Sequence, residues 1–292
     1  MLHNFMLFCI TLLFLSPLLN KPTETFFCFK EYCDFKDSLM IPAENNTIKA
    51  IIFDLNGVIF KTKKKTYLRA IPYLFKYALL RLWKKESFSI EKFFDSAIQD
   101  MPATFSTNPE TIAYNHNQPI APILNDWQCG IDIYSRVIKH IEAKKIATSD
   151  KKFLKAIAQL LLDPEFFAHS KTPINHSIQM LKDLKDAGYK IYVLSNWDAQ
   201  SFPIFMQKNI DIMHLFDGIM ISGDEKLVKP DVFFYKKCLE KFNLQADESL
   251  FIDDQIINVQ GAHKAGMPAF LFNYKDKAGI IQQFQKYNII KK

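Results

Sequence analysis

What the chain has little of narrows its reading first. Its five cysteines, Cys9, Cys28, Cys33, Cys129 and Cys238, are scattered, with no CxxC pair and no His/Cys group at zinc-ligand spacing. A zinc-built scaffold is thereby excluded; Cys28 and Cys33 either bridge in an oxidising compartment or remain two thiols. Arginine occurs only at Arg69, Arg81 and Arg136, whereas nucleic-acid binders favour arginine for bidentate base and phosphate contacts. Lysine and arginine together exceed the acids by 37 to 31, a net charge of +6. That excess reads as a solvated lysine-rich surface, and no nucleic-acid partner is expected. Only 8 glycines stand beside 27 phenylalanines, a bias of the source's codons rather than of function. Long apolar runs are also lacking. The uncharged stretch Phe5–Leu19 covers 15 residues, short of the ~20 that a spanning helix needs and close to a signal-peptide core. Met1-Leu2-His3-Asn4 carries no lysine or arginine, and no A-x-A-like cleavage site follows. Residues 1–23 are therefore read as a signal peptide or membrane anchor, with membrane association through residues 5–19. The alternative is a buried N-terminal helix in a cytoplasmic protein. Residues 24–48, with Pro42 and Asn45-Asn46, read as a linker.

What is present is an alternation. At 292 residues, 49% hydrophobic and 23% charged, the chain suffices for one large domain or for a core with an insert. Ala50-Ile51-Ile52-Phe53 is a continuous apolar run ending in Asp54, which suits a strand buried on both faces. Lys190–Leu194, Gly218–Ile221, Leu250–Ile252 and Ala269–Phe272 repeat the type. Helical patterns lie between them at Ile174–Ala187, Ala199–Asn209, Val232–Phe242 and Ile256–Ala265, with Gly188 as a C-terminal stop. The alternation predicts βαβ units: an α/β, Rossmann-like parallel-sheet core built from residues 49–61 and 171–292. Residues 62–170 break the rhythm with helical periodicity at Ile71–Lys85, Ile131–Ile146 and Lys152–Leu162, and no strand-like run interrupts them. They are read as an inserted all-helical cap.

Four short stretches carry the chemistry: Phe53-Asp54-Leu55-Asn56-Gly57-Val58, Leu194-Ser195-Asn196, Lys229-Pro230 and Phe251-Ile252-Asp253-Asp254. Each puts a polar group at or just beyond an apolar run, where an α/β sheet places its ligand crevice. Two adjacent acids after a buried strand are costly without a cation or another partner. Mg²⁺, which takes a few carboxylates plus water and phosphate oxygens, suits them. An ion pair of Asp254 with Lys229 is the simpler partner. Pro230 is expected to open a helix.

In this order the stretches resemble the four motifs of the haloacid dehalogenase-like hydrolase superfamily, in its phosphatase-type branch with a helical cap after the first motif. The resemblance implies a Mg²⁺-dependent phosphatase acting on a small phosphorylated substrate. It makes Asp54 the nucleophile and a metal ligand, with the backbone carbonyl of Asn56 and with Asp253 and Asp254 completing the metal set. It makes Ser195 and Asn196 the phosphate-binding turn, and Lys229 the cation that offsets charge between nucleophile and phosphate. It also places a lid over the crevice, to exclude water and choose the substrate. One residue departs from the pattern: Asn56 stands where a second aspartate would serve as general acid. An amide cannot hand over a proton, and such help is worth ~10²–10⁴-fold. Two alternatives follow: a weakened pseudo-phosphatase that binds a ligand or protein, and a haloacid dehalogenase, against which the paired acids argue.

Overall fold

The computed structural model describes residues 48–63, 90–104, 114–115 and 118–290. The apolar run 5–19, the linker up to residue 47, the helix expected at Ile71–Lys85, and Cys9, Cys28 and Cys33 lie outside the described residues. Cys129 and Cys238 are buried free thiols. Among the described residues no helix is long and apolar enough to cross a membrane.

The frame is a five-stranded sheet. Its strands are β1 (Ala50–Phe53), β6 (Lys190–Ser195), β7 (Gly218–Ile221), β8 (Ser249–Asp253) and β9 (Ala269–Leu271), in the order β7-β6-β1-β8-β9. Every adjacent pair is parallel. β1 is central, and Ile51, Ile52 and Phe53 have no exposed surface, as a strand covered on both faces requires. Successive strands are joined by α6 (Asn175–Asp186), α7 (Ser201–Lys208), α8 (Ile210–Met213), α9 (Ser222–Glu225), α10 (Val232–Lys241) and α11 (Ile256–Lys264), and α12 (Lys277–Lys286) closes the chain. The sheet is thus the expected α/β, Rossmann-like one. After β1 the chain builds outward to β6 and β7, then crosses to β8 and β9, which makes the carboxyl end of β1 the switch point where such sheets bind ligands.

The segment between β1 and α6 leaves and rejoins the frame through a second, small sheet. β2 (Phe60–Thr62) pairs antiparallel with β5 (Lys171–Pro173), so that Thr62 is the partner of Lys171. Between them come α1 (Ile90–Ile98), α2 (Pro122–Gln128), α3 (Tyr134–Ala143), α4 (Thr148–Leu162) and α5 (Pro164–His169). The first four of these helices close on a core of their own, built on Ile98, Ile123, Val137, Ile141, Leu154 and Ile157. The frame has a separate core around Ile52, Leu194, Phe234, Tyr235 and Phe251. Asp126, fully buried in the insert, accepts from Arg136 at 2.8 Å and from the backbone and hydroxyl of Thr104.

The insert is not wholly free of strands. β3 (Tyr114–Asn115) and β4 (Gln118–Pro119) pair antiparallel; at two residues each they are too short to show an alternating pattern. A second correction concerns Pro230. The helix starts two residues later, because Asp231 takes the N-cap and accepts from the Phe233 N–H at 2.9 Å. Pro230 follows a cis peptide bond.

Candidate active site

Parallel register brings the polar strand ends into line. Phe53 is level with Val193 of β6 and with Ile252 of β8, so Asp54, Leu194-Ser195 and Asp253 share one edge. Asp54 leaves only 5% of its surface exposed, while Ser195 and Asp253 leave none. Ser195 donates its hydroxyl to Asp54 Oδ1 at 2.8 Å. Lys229, itself 1% exposed, donates to the same oxygen at 2.8 Å and to Asp253 Oδ2 at 2.6 Å. Asp54 Oδ2 takes no hydrogen bond among the described residues.

Lys229 is placed by its backbone. Asn196 accepts from the Lys229 N–H at 2.8 Å and donates to the Lys229 carbonyl at 3.0 Å. Asn196, read from sequence as part of the phosphate-binding turn, thus has its side chain turned to the Lys229 main chain. Asp253 is held in turn by the Gln255 N–H at 2.8 Å and by the Asn258 amide at 3.1 Å. Beside Ser195, Trp197 packs on Phe205 with ring centroids 4.3 Å apart. Asp198 accepts from the Ser201 N–H at the start of α7, so both residues shape the turn from within.

Asp254 completes an acidic trio. One oxygen from each of Asp54, Asp253 and Asp254 lies within 4.8 Å of the others. The alternative partner of Asp254, an ion pair with Lys229, does not form: the ammonium is taken by Asp54 and Asp253. Asp254 Oδ1 is buried without a hydrogen-bond partner. Its other oxygen lies against Gly57, whose φ is +91° and where a Cβ would stand 1.9 Å from Asp254 Oδ2. Only glycine lets that carboxylate in.

The charges follow. Burial, then repulsion from Asp54 and Asp253, pushes the Asp254 carboxyl up to about 8. Burial also raises Asp253 above the ordinary carboxylate range, with Asp54 adding to it against the pull of Lys229. For Lys229 burial works against the charge, but Asp253 and Asp54 outweigh it and the ammonium is held above its usual value. A trio with one cation among three acids, and one carboxylate oxygen buried without a donor, fits a divalent cation. Asp54, Asp253, Asp254 and the Asn56 carbonyl are the residues that could hold it.

Asn56 is exposed and lies outside the Lys229 network. Its Oδ1 accepts from Lys171 Nζ at 3.1 Å. Lys171 is 4% exposed and also donates to Thr62 Oγ1 at 3.1 Å. Sequence reasoning missed this lysine, which lies 115 positions from Asn56, and no motif marks it. Asn258 had a faint signal in its position just after the acidic pair.

The sequence pattern of the haloacid dehalogenase-like hydrolase family matches residues 48–266. A sesquiterpene phosphatase of Aspergillus oryzae is 35% identical over 88 residues, 30% of this chain and 44% of the relative. A drimenol cyclase of Aspergillus calidoustus is 32% identical over 136 residues, 47% of this chain and 24% of the relative. A glyceraldehyde 3-phosphate phosphatase of Pyrococcus abyssi is 28% identical over 98 residues, 33% of this chain and 40% of the relative. The chain spans less than half the length of each of these relatives.

Proposed function

Since the chain belongs to the haloacid dehalogenase-like hydrolase family, we propose that it is a Mg²⁺-dependent phosphatase acting on a small phosphorylated substrate through an aspartyl-phosphate at Asp54. The observation that carries this reading is the buried Lys229 ammonium clamped between Asp54 and Asp253, with the carboxylate of Asp254 facing the same point. Two of the relatives bear phosphatase names, which agrees with it.

The side chains divide the work. Ser195 and Lys229 both occupy Oδ1 of Asp54, which leaves Oδ2 as the oxygen that attacks phosphorus. The two donors fix the carboxylate's rotation, and a held nucleophile replaces a collision by a unimolecular step. Lys229 lowers the repulsion between an anionic nucleophile and an anionic phosphoryl group; it acts by position, because Asn196 holds its backbone. A bound Mg²⁺ would supply further charge neutralisation of the phosphoryl oxygens. Asp253 and Asp254, on giving up their protons, would supply the negative charge that such a cation requires. Residues 62–170 are proposed to act as the cap that closes the crevice.

A dehalogenase of this family is not expected to need the acidic pair. The weakened, binding-only reading rests on Asn56 alone, while the Asp54, Ser195, Lys229 and Asp253 network is complete. Hydrolysis of p-nitrophenyl phosphate by the full chain, with and without Mg²⁺, tests the proposal. The expected result is Mg²⁺-dependent turnover that Asp54→Asn lowers by ~10³-fold or more. Turnover unaffected by Asp54→Asn would refute the covalent route. No turnover, with phosphate still bound, would favour the binding reading.

A further inference from the structure

The residue in place of the general acid is not simply a loss. A lysine ammonium carries three hydrogens and no acceptor, so Lys171 can only face the oxygen of the Asn56 amide, and this is the contact seen at 3.1 Å. That contact fixes which way the amide points. Both N–H groups of Asn56 are turned away from Lys171, and among the described residues they meet no acceptor. They sit on an exposed side chain two residues beyond the nucleophile.

Lys171 is itself held firmly. It belongs to β5 and pairs with Thr62 of β2, donates to the Thr62 hydroxyl, and places its ammonium 4.4 Å from the Phe167 ring centroid. A Trp127–Phe167–Trp197 aromatic row, with centroid distances of 5.1 and 5.5 Å, backs that ring. A carboxylate at position 56 would form an ion pair with this ammonium and be held ionised, unable to act as an acid. The amide is the partner that the lysine can use.

We propose that Lys171 is a positioning residue that aims the Asn56 amide as a hydrogen-bond donor at the leaving oxygen, suiting the site to phosphoric anhydrides rather than alkyl monoesters. The inference rests on the phosphatase reading above and deepens it. In an alkyl diphosphate, Asp54 Oδ2 forms a bond to the terminal phosphorus. The bond to the bridging oxygen breaks, and its electron pair stays on that oxygen. The departing alkyl phosphate dianion is a weak base that needs no proton and accepts hydrogen bonds well. Water then attacks the aspartyl-phosphate: its hydroxyl goes to phosphorus, its other proton to solvent, and the Asp54 carboxylate is restored. An alkoxide leaving group would need the proton that Asn56 cannot give.

The test compares n-butyl diphosphate, n-butyl phosphate and p-nitrophenyl phosphate with Mg²⁺, using full-length parent, Lys171→Met, Asn56→Ala and the double variant. The parent is expected to prefer the diphosphate to n-butyl phosphate. Lys171→Met and Asn56→Ala should each lower kcat/KM for the diphosphate by up to ~10²-fold. Their effect on p-nitrophenyl phosphate, whose leaving group spreads its charge over the ring, should be smaller. Because Lys171 acts through Asn56, the double variant should be no worse than Asn56→Ala alone.

Equal losses on diphosphate and p-nitrophenyl phosphate would reduce Lys171 to a support of the fold and overturn the proposal. So would parent turnover of n-butyl phosphate as fast as that of the diphosphate. Asn56→Asp supplies a test that does not depend on how Lys171→Met folds. Little gain on n-butyl phosphate is expected, and a gain of ~10²-fold or more would show that Lys171 does not govern position 56. If the parent turns over none of the three, the phosphatase reading falls and this inference with it. Turnover of p-nitrophenyl phosphate with none of these selectivities removes this inference alone.

Discussion

Lys229 and Asp254 show how much the fate of one side chain depends on its neighbours. The ammonium has two carboxylates in contact and stays charged although almost fully buried. The Asp254 carboxyl, one residue from Asp253, has an oxygen with no donor, and its pKa rises to about 8 from an ordinary 3.8. The sign of the consequence follows from linkage. Between these two values the folded protein keeps a proton that the unfolded chain has released. The contribution to stability is thus complete below the unfolded value and is lost as pH rises through the folded one. Asp253 is shifted the same way. In protein freed of divalent cations, Asp254→Asn should therefore raise the melting temperature, by an amount that grows between about pH 4 and about pH 8. Saturating Mg²⁺ should reverse the order and favour the parent. A difference between parent and variant that stays constant with pH would show that Asp254 is not held protonated. Asp54, Ser195, Lys229, Asp253 and Asp254 were legible because their four stretches, each at or just beyond an apolar run, follow one another in the order of the family's motifs. Lys171 was not, since it meets Asn56 only after the whole insert has been traversed, and nothing in its local sequence distinguishes it from the other lysines. The side-chain role of Asn196 was equally hidden, because a main-chain partner leaves no residue type to recognise.

Strands and the turns that follow them set these distances. The five sheet strands were readable from continuous apolar stretches, and their long connecting helices from periodicity with caps. β2 and β5 were not: three residues are too few for a pattern, and their pairing joins positions 109 apart, as Thr62 and Lys171. The turn after β1 has the tightest requirement. Gly57 combines a positive φ with a carboxylate where its Cβ would be. Gly57→Ala is expected to displace Asp254, costing ~1–3 kcal/mol in backbone strain and weakening Mg²⁺ binding. Chemical denaturation without metal and a Mg²⁺ titration of the melting temperature measure the two effects separately. An unchanged Mg²⁺ response in the variant would mean that Asp254 is not a ligand. The helix after Lys229 carries the complementary lesson, since a proline signal placed its start at Pro230 while the capping Asp231 decides it.

Across the molecule, the acidic trio brings two strand ends, those of β1 and β8, to one point beside the Lys229 turn, so a cation bound there ties together segments far apart in sequence. Binding to the folded state alone stabilises by mass action: Mg²⁺ at 100 times its Kd adds about 2.7 kcal/mol. For a chain of this size that corresponds to a rise in Tm of roughly 5–10 °C. Thermal unfolding in EDTA and in excess Mg²⁺ reads it directly, and coincident curves would show that the trio holds no Mg²⁺. The α/β architecture was legible at this scale because alternation of strand and helix has few solutions. The insert was legible as helical, but its own core, with Arg136 paired to the buried Asp126, was not, since nothing in a single helix tells which faces meet.

The insert enters at Thr62 and returns at Lys171, and these two residues are partners across one ladder. A detour whose two ends are already tied together adds little entropy of closure with length, about 0.6 kcal/mol for each doubling. The frame is therefore nearly indifferent to how much chain is spliced in at this junction. Evolution could lengthen, trim or exchange that excursion without renegotiating the sheet, provided the residue at its return remained a lysine.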